Sequence, residues 1–251
     1  MPPPRLGVRL GRVLLVLETS TAETVLALAA DGAVVASSTA RSSSKHEDTL
    51  LPALDALLAA ASAEKSALRI IAVGVGPGGF TSLRVGIATA KGLALGLRTK
   101  LVGVCSLRTL ARGACPTEGV VVVVQDARRG EVHAAVYAID ADGSRALLEP
   151  MHGQVGEAMK LARAAVALDG RVPVVVGDGA RACAAELDAI GVHRLAPIAF
   201  DRPQPTAMVV ESLEAIARDE FAALDALEPL YVKPSEYAMP AVKLRTTLGG
   251  E

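Results

Sequence analysis

Tryptophan is absent from this chain, and three tyrosines and three phenylalanines bring aromatic residues to only 2% of 251 positions. Its core therefore has to be assembled from Leu, Val, Ile and Ala, within an apolar total of 51%. Neither sign of charge is in surplus, with 26 basic and 27 acidic residues. Gripping a nucleic-acid backbone unaided draws on excess Lys and Arg and often on stacked rings, so that class is disfavoured. A place in a complex whose other members hold the RNA stays open. Cysteine is scarce and odd in number (Cys105, Cys115, Cys183), without C-x-x-C spacing, which suits a reduced cytosol better than a disulfide framework. The four histidines are far apart in sequence; a metal site could assemble from them in space, but their spacing suggests none. No run approaches the roughly 18 apolar residues of a membrane span. A basic start (Arg5, Arg9, Arg12) resembles a signal peptide until Glu18 ends the apolar run, so residues 1–12 read as a disordered leader and the protein as cytoplasmic.

The organising stretch is 72–97. A β-branched run (Ile70, Ile71, Val73, Val75) reads as a buried strand and breaks at Gly76-Pro77-Gly78-Gly79. A helix is expected past Phe80, with Thr81 accepting hydrogen bonds from its first turn. Gly86, Gly92 and Gly96 lie inside that helix at about 1 kcal/mol each relative to alanine. Two ridges of small residues, Ser82/Gly86/Ala90/Ala94 and Ala88/Gly92/Gly96, let another backbone approach closely, which offsets the cost. A glycine turn before a helix can also cradle phosphate. The Lys-Ser/Thr of a Walker loop and the Rossmann spacing are both missing, so packing is favoured on residue chemistry alone.

Around this unit, 13–17 reads as a strand, and 25–30 and 33–38 as a hairpin about Asp31-Gly32. Residues 42–45 are polar and loop-like. A helix over 46–61 carries the stripe Leu50, Leu51, Leu54, Leu57, Leu58 and Ala61, which is either core or a partner surface. Pro52 should bend or restart it. His46-Glu47 is not a zincin start, because Leu50 stands where the second histidine belongs. Residues 101–104 form a strand and 107–112 a short helix, giving βββαβαβα. Residues 113–119 link to strands 120–124 and 131–139, with a turn at 126–130 and another at 140–143. A helix over 155–168, a strand over 172–176 ending in Gly177-Asp178-Gly179, a helix to about 190, a proline-spotted loop over 193–205 and a helix over 206–219 follow. Residues 233–251 read as a loose tail. Thr19-Ser20-Thr21 after the first strand could hold a phosphate or cap its turn, with capping favoured. Asp126, Arg128 and Glu131 could form an ion-paired turn or a ligand site, the ion pair being favoured.

The segment GPGGFTSLRVGIATAKGLALGL followed by KLVGVCSL resembles the signature of the TsaB (YeaZ) family of tRNA threonylcarbamoyladenosine biosynthesis proteins. That family's turn reads GPGSFTGLR, and Gly79 and Ser82 replace its serine and glycine here. ETS at 18–20, DARRGEV at 126–132, GDGA at 177–180 and EPLY at 228–231 match further family segments, so the resemblance runs from about 13 to 233. It implies an α/β fold of two ribonuclease H-like domains with mixed sheets, as in the acetate kinase/Hsp70/actin superfamily. The implied layout is an N-terminal domain over 13–112, completed by helix 206–219, and a smaller second domain over 113–205.

The resemblance further implies a non-catalytic scaffold that heterodimerises with the paralogue TsaD and joins TsaE in a ternary complex. That complex installs threonylcarbamoyl on the adenosine next to the anticodon of tRNAs reading ANN codons. tRNA would be met only through the complex, and a homodimer is possible for the isolated chain. TsaD binds its catalytic metal through an H-x-x-x-H pair, and Ser106 and Leu110 stand at those positions. Neither replaces an imidazole, so no metal, cofactor or catalytic residue is expected. The expected partner face combines Leu50, Leu54 and Leu57 with Leu83, Arg84, Gly86, Ile87, Ala90 and Lys91. The alternative is an independent nucleotide-binding phosphotransferase using the ETST, GPGG and GDGA turns. A peptidase reading finds neither a zinc pair nor a nucleophile-base motif.

Overall fold

The computed structural model describes residues 13–41, 46–189 and 194–232. The expected leader, the loop at 42–45 and the tail lie outside them. Strand β1 (Val13–Glu18) is buried on both faces, and its alternating side chains feed two different cores. Val13, Leu15 and Leu17 point into one cluster, Leu14 and Val16 into the other, as the two-residue period of a strand requires. Around it lie β2 (Glu23–Ala30), β3 (Ala33–Arg41), β4 (Leu68–Gly76) and β5 (Lys100–Cys105) in the order β3-β2-β1-β4-β5. The β1–β2 and β2–β3 pairs are antiparallel and the β1–β4 and β4–β5 pairs parallel. Asp31 and Gly32 both take positive φ, the geometry of the two-residue hairpin expected there.

One face of this sheet is covered by α1 (His46–Ala60) and α2 (Phe80–Leu97). Pro52 lies inside α1, which runs through it as one helix. The other face is covered by α7 (Pro205–Ala217), whose Met208 and Val209 pack on Val16, Ala72 and Val102. Helix α7 thus covers the second face of the first sheet.

The second sheet has the order β8-β7-β6-β9, built from β6 (Gly119–Arg128), β7 (Glu131–Asp140), β8 (Gly143–Gln154) and β9 (Val174–Val176). Helix α4 (Val155–Asp169) packs on one face through Ala158, Met159 and Ala162, beside α5 (Asp178–Ala182) and α6 (Ala184–Ala189). Helix α3 (Ser106–Ala114) covers the other with Leu107, Leu110 and Ala111 against Val121, Val123 and Tyr137. The expected class, α/β with two mixed sheets and a βββαβαβα first half, is the observed one.

Several expectations need correction. Strand β8 went unread; it is a sheet edge with no fully buried residue, so it shows no apolar alternation. The expected turn at 126–130 is mostly strand, because β6 runs to Arg128 and the chain reverses at Arg129-Gly130. The single helix after β9 is two short ones broken at Cys183. Thr81 does not cap α2: Gly79 is the N-cap and carries no side-chain bond, while Ser82 Oγ donates to the Gly79 carbonyl at 2.9 Å.

Candidate functional site

The carboxyl end of β1 meets the glycine turn after β4 through small residues. Glu18, the last residue of β1, is fully buried. Its Oε1 accepts the Ser20 N–H at 2.6 Å and its Oε2 the Ser106 hydroxyl at 2.7 Å; Ser106 Oγ in turn accepts the Gly76 N–H at 3.1 Å. Burial pushes the Glu18 carboxyl above its ordinary range, opposed by these hydrogen bonds. Gly74 is obligatory beside it, since a Cβ there would overlap the carboxylate. Gly78 is held by the same logic against the Ser20 carbonyl, which accepts the Gly79 N–H at 2.8 Å. The glycine turn therefore directs one of its amides at its own neighbour.

Ser106 and Leu110, which the resemblance sets against the paralogue's histidines, are both in structural use: Ser106 joins β1 to β4, and Leu110 is buried in the core under α3. Among the described residues, no group of three His, Cys, Asp or Glu side chains could hold one.

Between the two halves lies a cleft of about 500 Å³. The β1–β2 turn contributes Ser20, Thr21 and Ala22, the start of α2 contributes Gly78, Gly79, Phe80 and Ser82, and the second half contributes Gln125, Asp126, Ala127, Arg128, His133 and Asp178. The three glycine and hydroxyl turns singled out in the sequence do converge here. The Asp126–Arg128 ion pair expected at the hairpin exists at 3.4 Å and is exposed, whereas Glu131 faces His152 at 3.4 Å instead. Gln125 and His133 were missed, because a single glutamine or histidine in a strand carries no spacing signal.

A second, more apolar cavity of about 220 Å³ adjoins the first at His133. His133 and His152, 19 positions apart and paired across β7–β8, stand with ring centroids 5.0 Å apart. Burial and the neighbouring His152 lower His133 from 6.5 to about 4, against Glu131, so it is neutral at physiological pH. Its outer wall is the segment Pro229–Val232, fixed by Leu230 N–H donating to the Val75 carbonyl and by Arg84 donating to the Tyr231 hydroxyl at 3.1 Å.

The expected partner face is corrected by burial. Leu50, Leu54, Leu57, Leu83, Gly86, Ile87 and Ala90 are all buried within this chain. Gly86 lies against Thr19, so its ridge serves the sheet beneath α2. Of the nine, only Arg84 is exposed, with Lys91 partly so. The outward ridge is the other one, Ala88, Gly92 and Gly96, flanked by Leu95 at 69% exposure; nothing lies within 4 Å of a Cβ placed at Gly92 or Gly96.

Fold and site together define an α/β protein of two mixed sheets, with a cleft where the first strand's end meets the second half's hairpin. Residues 26–201 match the model of the family described as TsaD: tRNA N6-adenosine threonylcarbamoyltransferase. The chain belongs to this family, on its TsaB/YeaZ branch. It is 35% identical over 148 residues to the tRNA threonylcarbamoyladenosine biosynthesis protein TsaB of Escherichia coli, covering 58% of this chain and 61% of that protein. The Bacillus subtilis protein of the same description is 32% identical over 49% of this chain and 54% of its own length. The matching stretch thus spans somewhat over half the length of each of these two curated relatives. The solved structure of YeaZ from Pseudomonas aeruginosa superposes with a TM-score of 0.73 at 27% identity, over 88% of this chain and 99% of that one.

Proposed function

We propose that this chain is a cytoplasmic, non-catalytic subunit in tRNA threonylcarbamoyladenosine biosynthesis, which pairs with TsaD and joins TsaE in the same assembly. The observation that carries the reading is the similarity to TsaB proteins along the chain, together with Ser106 and Leu110 in structural use where the paralogue has its histidines. In this reading tRNA is met only through the complex, in keeping with the balanced charge.

The partner face is assigned to the outward ridge of α2, where Ala88, Gly92 and Gly96 allow a second helix to approach and Leu95 supplies apolar area. A Cβ at Gly92 meets nothing within 4 Å among the described residues, and Gly92→Leu replaces a helix-interior glycine, so folding should be unharmed or improved by up to about 1 kcal/mol. Co-purification with TsaD should be lost. Retained pairing by the folded variant removes this assignment, and threonylcarbamoyl transfer to tRNA by the isolated chain overturns the non-catalytic reading. Tight binding of ATP or ADP to the isolated chain would favour the phosphotransferase alternative.

A further inference from the structure

Two of the six aromatic residues in this chain stand side by side at the surface, where the halves meet. Phe80 is 58% exposed and Tyr231 52%, with ring centroids 6.3 Å apart. The Arg84 guanidinium lies 3.8 Å over the Phe80 ring and donates to the Tyr231 hydroxyl through Nε and Nη2, which fixes its plane. Its Nη1 has no partner among the described residues. Exposed rings with an arginine already ordered between them have the composition of a binding hot spot rather than of ordinary surface.

Beside this cluster lies the apolar cavity of about 220 Å³, walled by Pro77, Leu83 and Leu230. It shares Gly78, Phe80 and His133 with the larger cleft, which carries the carboxylates of Asp126 and Asp178 against the single guanidinium of Arg128. The two make one groove, apolar in its first part and acidic in its second.

The described chain leads to the mouth of this groove. Leu230 is fastened to the Val75 carbonyl at 2.7 Å, and Val232 lines the apolar cavity itself. The residues that follow, KPSEYAMPAVKLR over 233–245, carry their chemistry in the order of the groove. Glu236 supplies a carboxylate for Arg84, Tyr237, Met239 and Val242 supply apolar side chains, and Lys243 and Arg245 supply two cations for the acidic part. From Val232 to Lys243 an extended chain reaches about 36 Å, ample for both cavities.

We propose that residues 233–245 dock back into the groove between the two halves. Glu236 meets Arg84, Tyr237 and Met239 fill the apolar cavity, and Lys243 and Arg245 meet Asp126 and Asp178. The cleft is then covered by the chain's own tail and opens when the tail is displaced. This is separate from the partner face on α2 and does not rest on the pairing with TsaD.

The test is trypsin cleavage after Lys243 and Arg245, followed by mass spectrometry on the full chain and on a synthetic peptide of residues 238–249. Both bonds should be cut at least tenfold more slowly in the chain than in the peptide. Two double variants probe the two sides of the contact. Tyr237→Ser with Met239→Ser changes only residues beyond Val232, and Asp126→Asn with Asp178→Asn keeps the oxygens that accept the Arg128 and Asp126 N–H groups, so both should fold. Each should speed cleavage at least fivefold, and the first should shift the Gly78, Phe80 and His133 amides in NMR spectra. Cleavage of the parent at the rate of the peptide overturns the proposal, as does protection undiminished in both variants. Protection that rises with protein concentration would place the tail in the groove of a second copy and overturn docking within one chain.

Discussion

Replacing Arg112 by methionine tests what joins the two halves. Arg112 lies in the last turn of α3, the helix that lies under the second sheet, and reaches α7, the helix that backs the first. Its Nε donates to Glu211 Oε1 at 3.0 Å and its Nη2 to Glu214 Oε1 at 2.6 Å; Ser144 of β8 donates to both Glu211 oxygens, at 3.0 and 3.1 Å. The Arg112 and Glu211 side chains are 6% and 1% exposed. Methionine fills a similar volume but leaves Glu211 buried with only the Ser144 hydroxyl. Breaking a buried pair by removing one partner costs about 3–5 kcal/mol, because the surviving charge is stranded. Removing both, as Arg112→Met with Glu211→Leu, should return stability to within about 1 kcal/mol of the parent. The assay is urea unfolding of the three proteins at pH 5 and pH 8. Burial already pushes Glu211 above its usual range and Glu214 adds to this, while Arg112 and Ser144 hold it down. Without Arg112 it rises further. A carboxyl with a raised folded-state pKa favours folding below its unfolded value and loses that contribution as pH climbs, so the single variant should be worse at pH 8 than at pH 5. A single variant within about 1 kcal/mol of the parent at pH 8, or a double variant no better than the single, refutes the reasoning.

Three further outcomes are expected. Gly86→Leu should lose about 2–3 kcal/mol in thermal or urea unfolding, because its Cβ overlaps the buried Thr19 side chain, whose hydroxyl is committed to the Ser82 carbonyl; an unchanged midpoint refutes the packing assignment. Gly74→Ala should cost at least about 2 kcal/mol, since the new methyl group falls on the Glu18 carboxylate, and stability equal to the parent's would show that Glu18 can move aside. His133, lowered to about 4, binds fewer protons folded than unfolded, so its contribution is held above pH 6.5 and lost as pH falls towards 4. Partial solvent access reduces the effect to about 2 kcal/mol, and the pH dependence of unfolding should flatten by that amount over the same window in His133→Gln; parallel curves for the two proteins count against the shift.

The sequence was most readable where one physical demand dominated. Runs such as Val120–Val124 are buried on both faces, so composition alone marks them as strands. Asp31-Gly32 declares its hairpin because few residues take two successive positive φ angles. An apolar stripe, by contrast, says that a helix has two sides and not what each side meets. Leu50, Leu54 and Leu57 were open to either reading, and the structure places them against Leu15, Leu17 and Ile71. The two small-residue ridges of α2 differ only by which one faces Thr19, a residue more than sixty positions away. Strand β8 was hidden because an edge strand with half-buried faces imposes little on its residues. The cleft was readable in its turns and unreadable in its depth: Ser20, Gln125 and His133 converge only once two sheets are docked, and no local pattern encodes that docking.

The return of α7 to the first sheet has a bearing on how the molecule comes into being. During synthesis the five strands of the first half emerge before residue 106, but one face of them has no cover until 205–217 leave the ribosome. For about a hundred residues of elongation, Leu14, Val16, Val25 and Val102 are without their Met208 and Val209 neighbours. The nascent first half is therefore a half-clad sheet, and a natural client for whatever shields apolar surface in the cell until α7 arrives.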